Sequence, residues 1–423
     1  MSLRQSGRFL HFFGTGVLDQ IMLSGANFIA GFAMIRYASD VSYGQFVLAQ
    51  SVLVLMVSAQ SAWLSGPVTI IAPGKSAAIR AQMTGFLGAS QTRFLRRAAL
   101  ALLAIPLVAD LIGIWSAYLS LAVAVTILAV WAALQNEYRR RMLLVYSRPQ
   151  SMLAADAIYV TVFLLGIALA LLNRPVAGLL AIVALGAAGL SGALIAHRML
   201  AVDPGWVSGD SGPFWREIRA LGQWSLIGAV IYWLFGQSWN YVLAARLDLT
   251  AVANVNAVRL VVMPMLVFKY GIQNLLIPVA SNWLASFGLT RMLRRLALLA
   301  ILISAMDLIY FTIVWNIRNW LIVDVMHKHI GDQDRLLILW VCVTLVFLPR
   351  EILQAALSAL KCLRSMAWLI GLSAAVSLSL MWLSIPLWGA SAVLIGQLAG
   401  EGVNLLGLSL LLWRQIRQRP KIA

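Results

Sequence analysis

Charge is what this 423-residue chain has least of: 11% of its residues are charged, against roughly 25% in an ordinary soluble domain. That excludes a soluble globular fold, because so few charges cannot solvate its surface. Cysteine is almost absent. The two present, Cys342 and Cys362, fall in one helical region about 30 Å apart at ~1.5 Å per residue, so they cannot bridge each other. No disulfide framework and no cysteine metal site follows. Histidine is equally scarce, and "HKHIGDQD" (327–334) sits on a short outer loop, where it reads as a solvated turn rather than a metal site. "APGKSA" offers Gly74, Lys75 and Ser76, but a phosphate-binding loop needs a glycine where Thr69 stands, and no strand precedes it. ATP hydrolysis is therefore not expected. No Ser-His-Asp or Cys-His arrangement has a soluble domain to hold it, so the chain is not read as an enzyme, and no cofactor is called for.

What is abundant is apolar surface: 61% hydrophobic residues and a mean hydropathy of +0.87. Runs of about 20 apolar residues recur, each long enough to cross roughly 30 Å of hydrocarbon as a helix, and the alternating pattern of a barrel is missing. The expected fold is an all-α integral membrane bundle of twelve spans at about 9–35, 43–66, 97–115, 117–138, 150–172, 175–197, 220–245, 251–280, 295–317, 336–360, 366–386 and 389–413. "MSLRQSGR" is basic like a signal peptide, but the stretch after it is too long and is interrupted by Asp19 and Asn27, so it reads as an uncleaved first span.

The formal charge of +17 is used here for topology rather than as a sign of nucleic acid. With the N-terminus inside, most cations are cytoplasmic and only Arg36, Arg174, Arg246, Arg318, Lys328 and Arg335 face out. Both termini are thus expected in the cytoplasm. The longest connection, 201–219, is Gly/Pro/Ser-rich and then aromatic and basic, with Trp206, Phe214 and Trp215 placed for a short interfacial helix. It separates an N-terminal six-helix lobe (1–200) from a C-terminal one (220–423).

The two halves resemble each other. "MIRYASDVSYGQF" near Arg36 matches "LAARLDLTAVANV" near Arg246, and "FLRRAALALLAIPLVADLI" parallels "MLRRLALLAILISAMDLI", pairing Asp110 with Asp307. "NEYRRRMLLVYSRPQSM" parallels "REILQAALSALKCLRSM", pairing Glu137 with Glu351. Several matches in order imply an internal duplication. Six spans return the chain to its starting side, so the repeats are parallel, with a site expected between them.

With the polar first span, "RYASDVSYGQF" after it and "ALQNEYRRRMLLVYSRPQSMLAAD" in the fourth and fifth spans, the chain resembles the multidrug/oligosaccharidyl-lipid/polysaccharide exporter superfamily, and within it a Wzx-type polysaccharide flippase. The resemblance covers essentially the whole chain. One departure is "RLDLTAVANV", which lacks the aromatic-Gly of the first half. What the resemblance implies is a V-shaped alternating-access transporter of the bacterial inner membrane. It would move an undecaprenyl-diphosphate-linked oligosaccharide outward for O-antigen or exopolysaccharide synthesis, with membrane lipid and a polysaccharide polymerase and ligase as partners. An ion-coupled multidrug exporter of the same superfamily is the alternative.

Such a cargo needs a polar cleft, since each sugar hydroxyl stripped of water without a partner costs several kcal/mol. Gln20, Ser24 and Asn27 share one face of the first span, while Gln237, Asn240 and Tyr241 in the seventh and Tyr270 and Asn274 in the eighth extend the candidate lining. Arg259 and Lys269 stand out, because a cation deep in a span costs about 2.5–3.5 kcal/mol on insertion scales and is functional by default. Arg259 lies within about 20° of Tyr270 on a helical wheel, and both cations suit a diphosphate. The alternatives are that Arg259 snorkels outward and that Lys269 pairs with a carboxylate. Asp19 is the candidate coupling acid for H⁺ or Na⁺, as the resemblance also implies, the alternative being a fixed salt bridge, for instance to Lys269. Asp110 and Asp307 are expected to make helix-end hydrogen bonds, and Glu137 with Arg141, like Glu351 with Arg350, to form ion pairs that lock cytoplasmic loops.

Overall fold

A backbone that crosses lipid must satisfy its own hydrogen bonds, so each apolar run becomes a helix. The computed structural model describes residues 3–201, 212–360 and 362–418, and among them every regular element is helical. In chain order these are α1 (Leu3–Tyr37), α2 (Asp40–Gln60), α3 (Gly66–Ile71), α4 (Ala77–Leu111), α5 (Ala117–Val145), α6 (Pro149–Leu172) and α7 (Ala177–Ala201). There follow α8 (Gly212–Gln237), α9 (Trp239–Arg246), α10 (Leu249–Asn319), α11 (Gln333–Ala359), α12 (Leu363–Trp388) and α13 (Ser391–Gln418). Among the described residues, 11 helical stretches are long and apolar enough to cross a membrane, and the chain is a multi-pass membrane protein. The remaining expected span, 97–115, is the C-terminal half of α4. It carries Arg96, Arg97 and Asp110, which keep it out of the eleven, yet Leu100, Ile105, Leu107 and Leu111 are exposed along it as on a lipid-facing helix.

Short polar side chains restart the helices after each turn. Ser39, Ser116 and Asp248 accept hydrogen bonds from the backbone N–H groups of Ser42, Leu119 and Ala251 at 3.2, 3.3 and 2.7 Å, satisfying donors that the first helical turn leaves free. The 71 residues of α10 are two limbs, because Gly288 sits at φ 77° and ψ 174°, a conformation closed to residues with a Cβ. Those limbs carry the spans expected at 251–280 and 295–317.

By compactness the chain divides into Met1–Val230 and Ile231–Ala423, with the boundary inside α8. Small residues bring helices together in both, as close packing in lipid requires. In the first unit, a Cβ on Gly178 would lie 2.5 Å from the Ser42 carbonyl oxygen, and one on Gly189 would lie 3.0 Å from the Ala132 backbone. In the second, Gly396 and Gly400 on α13 let the helix press against Met381 and Ser377 of α12. Most of the expected 201–219 linker, with Trp206, lies outside the described residues. Phe214 and Trp215 are not on a separate interfacial helix. They open α8, where they pack against the core around Leu64, Met83 and Met142, and Trp215 Nε1 donates to Ser90 Oγ at 3.3 Å.

Candidate functional site: buried ion clusters and an arginine held by tryptophans

A charge buried in lipid survives only when an opposite charge and hydrogen bonds replace its water. In the first unit Arg140 of α5 does this for three carboxylates. Its Nη2 donates to Asp19 of α1 and its Nε to Asp156 of α6, both at 2.5 Å, and its Nη1 lies 3.7 Å from Glu137. Glu137 also accepts from Arg141 Nε at 2.7 Å, the expected i, i+4 pair. Asp19 and Asp156 are only 2% and 1% exposed. The salt-bridge alternative for Asp19 therefore holds with a different partner: Arg140 and not Lys269. Three carboxylates thus gather on the Arg140 and Arg141 guanidiniums.

The second unit contains two such arrangements. Arg350 of α11 pairs with Glu351 and with Glu401 of α13, both at 2.6 Å, and its Nη1 donates to Gln354 at 3.2 Å. Glu351 thus has the expected Arg350 partner, but at 3% exposure the pair belongs to a buried cluster and does not clasp a loop. Lys269, on the first limb of α10, pairs with Asp307 on the second at 2.5 Å and donates to the Thr344 carbonyl at 2.7 Å. Both side chains of that pair are wholly buried. Two expectations change accordingly: Lys269 takes its alternative, a carboxylate partner, and Asp307 makes a buried ion pair instead of a helix-end hydrogen bond.

Arg259 behaves differently. Its guanidinium lies 5.9 Å from the Trp239 ring centroid and 5.7 Å from that of Trp340, and among the described residues it has no ion pair. The two tryptophans are buried, meet edge to face at 5.6 Å, and are fixed by indole N–H bonds to the Gly236 and Val255 carbonyls. Stacking of this kind orients a cation without neutralising it, which leaves the guanidinium fork free for an anion. It is half-buried rather than snorkelled to the surface. Beside it, Asn256 Nδ2 donates to Asn240 Oδ1 at 2.8 Å, and Asn240 in turn reaches Gln237.

The other expected lining residues have these positions. Tyr270 is 36% exposed with its ring edge-on to Phe347 at 5.4 Å, and Tyr241 packs on Trp233. The side chain of Asn274 lies outside those described. Gln20 and Asn27 are exposed on α1, Gln20 donating to Ser24 Oγ at 3.1 Å and Asn27 accepting from Gln50 of α2 at 3.3 Å. In the first turn of α11, Asp334 receives two bonds from Arg318 at 2.7 and 3.1 Å. Trp239 and Trp340 were not foreseen, nor Arg140 and Arg350 as hubs. Glu137 and Glu351 signalled the helices concerned, but no spacing rule connects Asp19 to an arginine 121 residues away.

These features define a class: polytopic helical membrane proteins with ion clusters buried among their helices. No protein-family model matches the chain, and no curated protein matches it. Solved structures do. An inward-facing multidrug resistance MATE family transporter of the MOP superfamily superposes with a TM-score of 0.71 at 12% identity, covering 94% of each chain. The lipid II flippase MurJ in an inward closed conformation superposes at 0.72 and 11% identity, over 96% of this chain and 87% of that one. The Vibrio cholerae MATE transporter VcmN in its bent form gives 0.61 at 14%, over 97% and 98%. The chain therefore has the fold shared by these MATE transporters and MurJ.

Proposed function

We propose that this protein flips a lipid-linked oligosaccharide, carried on undecaprenyl diphosphate, from the cytoplasmic to the outer leaflet of a bacterial inner membrane by alternating access. The observation that carries the reading is Arg259, a half-buried guanidinium held by Trp239 and Trp340 with no carboxylate among the described residues to neutralise it. A diphosphate is the partner such a fork suits. Lys269 contributes framework, since its charge is spent on Asp307, and Asn240, Asn256 and Gln237 offer amides suited to sugar hydroxyls. Coupling to H⁺ or Na⁺ falls to the Arg140 cluster, where Asp19 shares one guanidinium with Asp156 and Glu137. Outward movement of an anion also runs down the membrane field, by about 2.3 kcal/mol per charge per 100 mV.

The test is surface polymer in a host deprived of its own flippase. Arg259→Ala should abolish export with the protein still in the membrane, and Arg259→Lys should restore part of it. Full export by Arg259→Ala would remove this assignment. The second reading, an ion-coupled multidrug exporter, draws on the MATE neighbours and on the carboxylates gathered at Arg140. Drug resistance conferred on a sensitive host and indifferent to Arg259 would favour it.

A further inference from the structure

Outside the regions described above, α12 and α13 enclose a groove of about 330 Å³. Its floor forms because Gly407 lets α13 close on Leu369, where a Cβ would stand 2.3 Å from a Leu369 methyl. Its walls are apolar, with Trp368, Leu372 and Leu410 at 75%, 56% and 60% exposure. One end differs: Ser365 and Arg414 line it. Arg364 adjoins Ser365 in sequence and is exposed, and Arg417, one turn beyond Arg414, stacks on Trp413 at 3.8 Å. None of these three arginines has an ion pair among the described residues, α12 contains no acid, and the one acid of α13, Glu401, is taken by Arg350. An apolar channel on the outside of a membrane helix pair, ending in uncompensated guanidiniums beside tryptophans, has the charge and polarity profile of one phospholipid: chain along the groove, phosphate at Arg414.

We infer that this groove is a binding site for an anionic glycerophospholipid, selected over zwitterionic lipid by Arg414. The site does not depend on the proposed cargo. It differs from ordinary boundary lipid in the groove that the two helices form and in the exposed cation at its end.

Trp368 provides the readout. The purified full-length chain is placed in phosphatidylcholine nanodiscs containing increasing fractions of phosphatidylglycerol brominated on its acyl chains. Quenching of Trp368 is the difference between the wild type and Trp368→Phe. The wild type should reach half-quenching at a lower fraction of brominated phosphatidylglycerol than of brominated phosphatidylcholine. Arg414→Gln should raise the phosphatidylglycerol value about fivefold, and Arg414→Lys should stay near the wild type. Arg414 is exposed and unpaired, so its variants are expected to fold, and monodispersity on size exclusion checks this. Equal quenching by the two lipids, or a preference for phosphatidylglycerol that survives Arg414→Gln, would overturn the assignment.

Discussion

The Lys269–Asp307 pair can be separated from function by comparing one single substitution with one double. Both side chains are wholly buried at 2.5 Å, and the pair joins the two limbs of α10 while the ammonium also holds the Thr344 carbonyl of α11. Asp307→Ala leaves the ammonium buried without a counter-charge, which costs about 3–5 kcal/mol. Each kcal/mol shifts the melting temperature of a 150–250-residue domain by about 2–4 °C, so the second unit, Ile231–Ala423, should melt on the order of 10 °C earlier. Replacing both residues, Lys269→Met with Asp307→Leu, removes both desolvation penalties and is expected to be neutral or stabilising, as buried pairs exchanged for apolar residues often are. The assay is thermal unfolding of purified protein in detergent, followed by surface-polymer export in cells. A structural role predicts that the double variant recovers both stability and export. Recovery of stability without export would refute the reasoning and return Lys269 to the cargo. An unchanged melting temperature in Asp307→Ala would refute the energetics.

Arg140→Ala should be more damaging than Asp19→Asn, because the first strands Asp19 and Asp156 together, Glu137 keeping Arg141, and the second removes a single partner. The yield of monodisperse protein is the measure, and equal yields would argue against Arg140 as a hub. Gly178→Ala should lower the melting temperature through a forced shift between α7 and α2, since its Cβ would lie 2.5 Å from a backbone oxygen that cannot rotate away. A variant as stable as the wild type would show that the two helices separate at little cost. Trp340→Leu should weaken export less than Arg259→Ala, because it loosens the guanidinium without removing it.

Hydropathy and the distribution of charge were enough to determine that this chain is a bundle of membrane-crossing helices, because the cost of exposing backbone or charge to hydrocarbon depends on local composition and length alone. The same holds for the i, i+4 pair of Glu137 and Arg141. Which buried charge meets which is another matter. Asp19 could have paired with any cation at its depth, and the packing of α1 against α6, with the Arg140 side chain reaching across from α5, selects Arg140. Lys269 read as a cargo contact until the chain reversal at Gly288 brought Asp307 beside it. Only the tertiary fold placed Trp239 and Trp340 against Arg259, and so left that half-buried cation without an ion pair among the described residues. Coulomb interaction acts across space and not along the chain. The sequence therefore names the ions, and the fold decides which of them remain unspent.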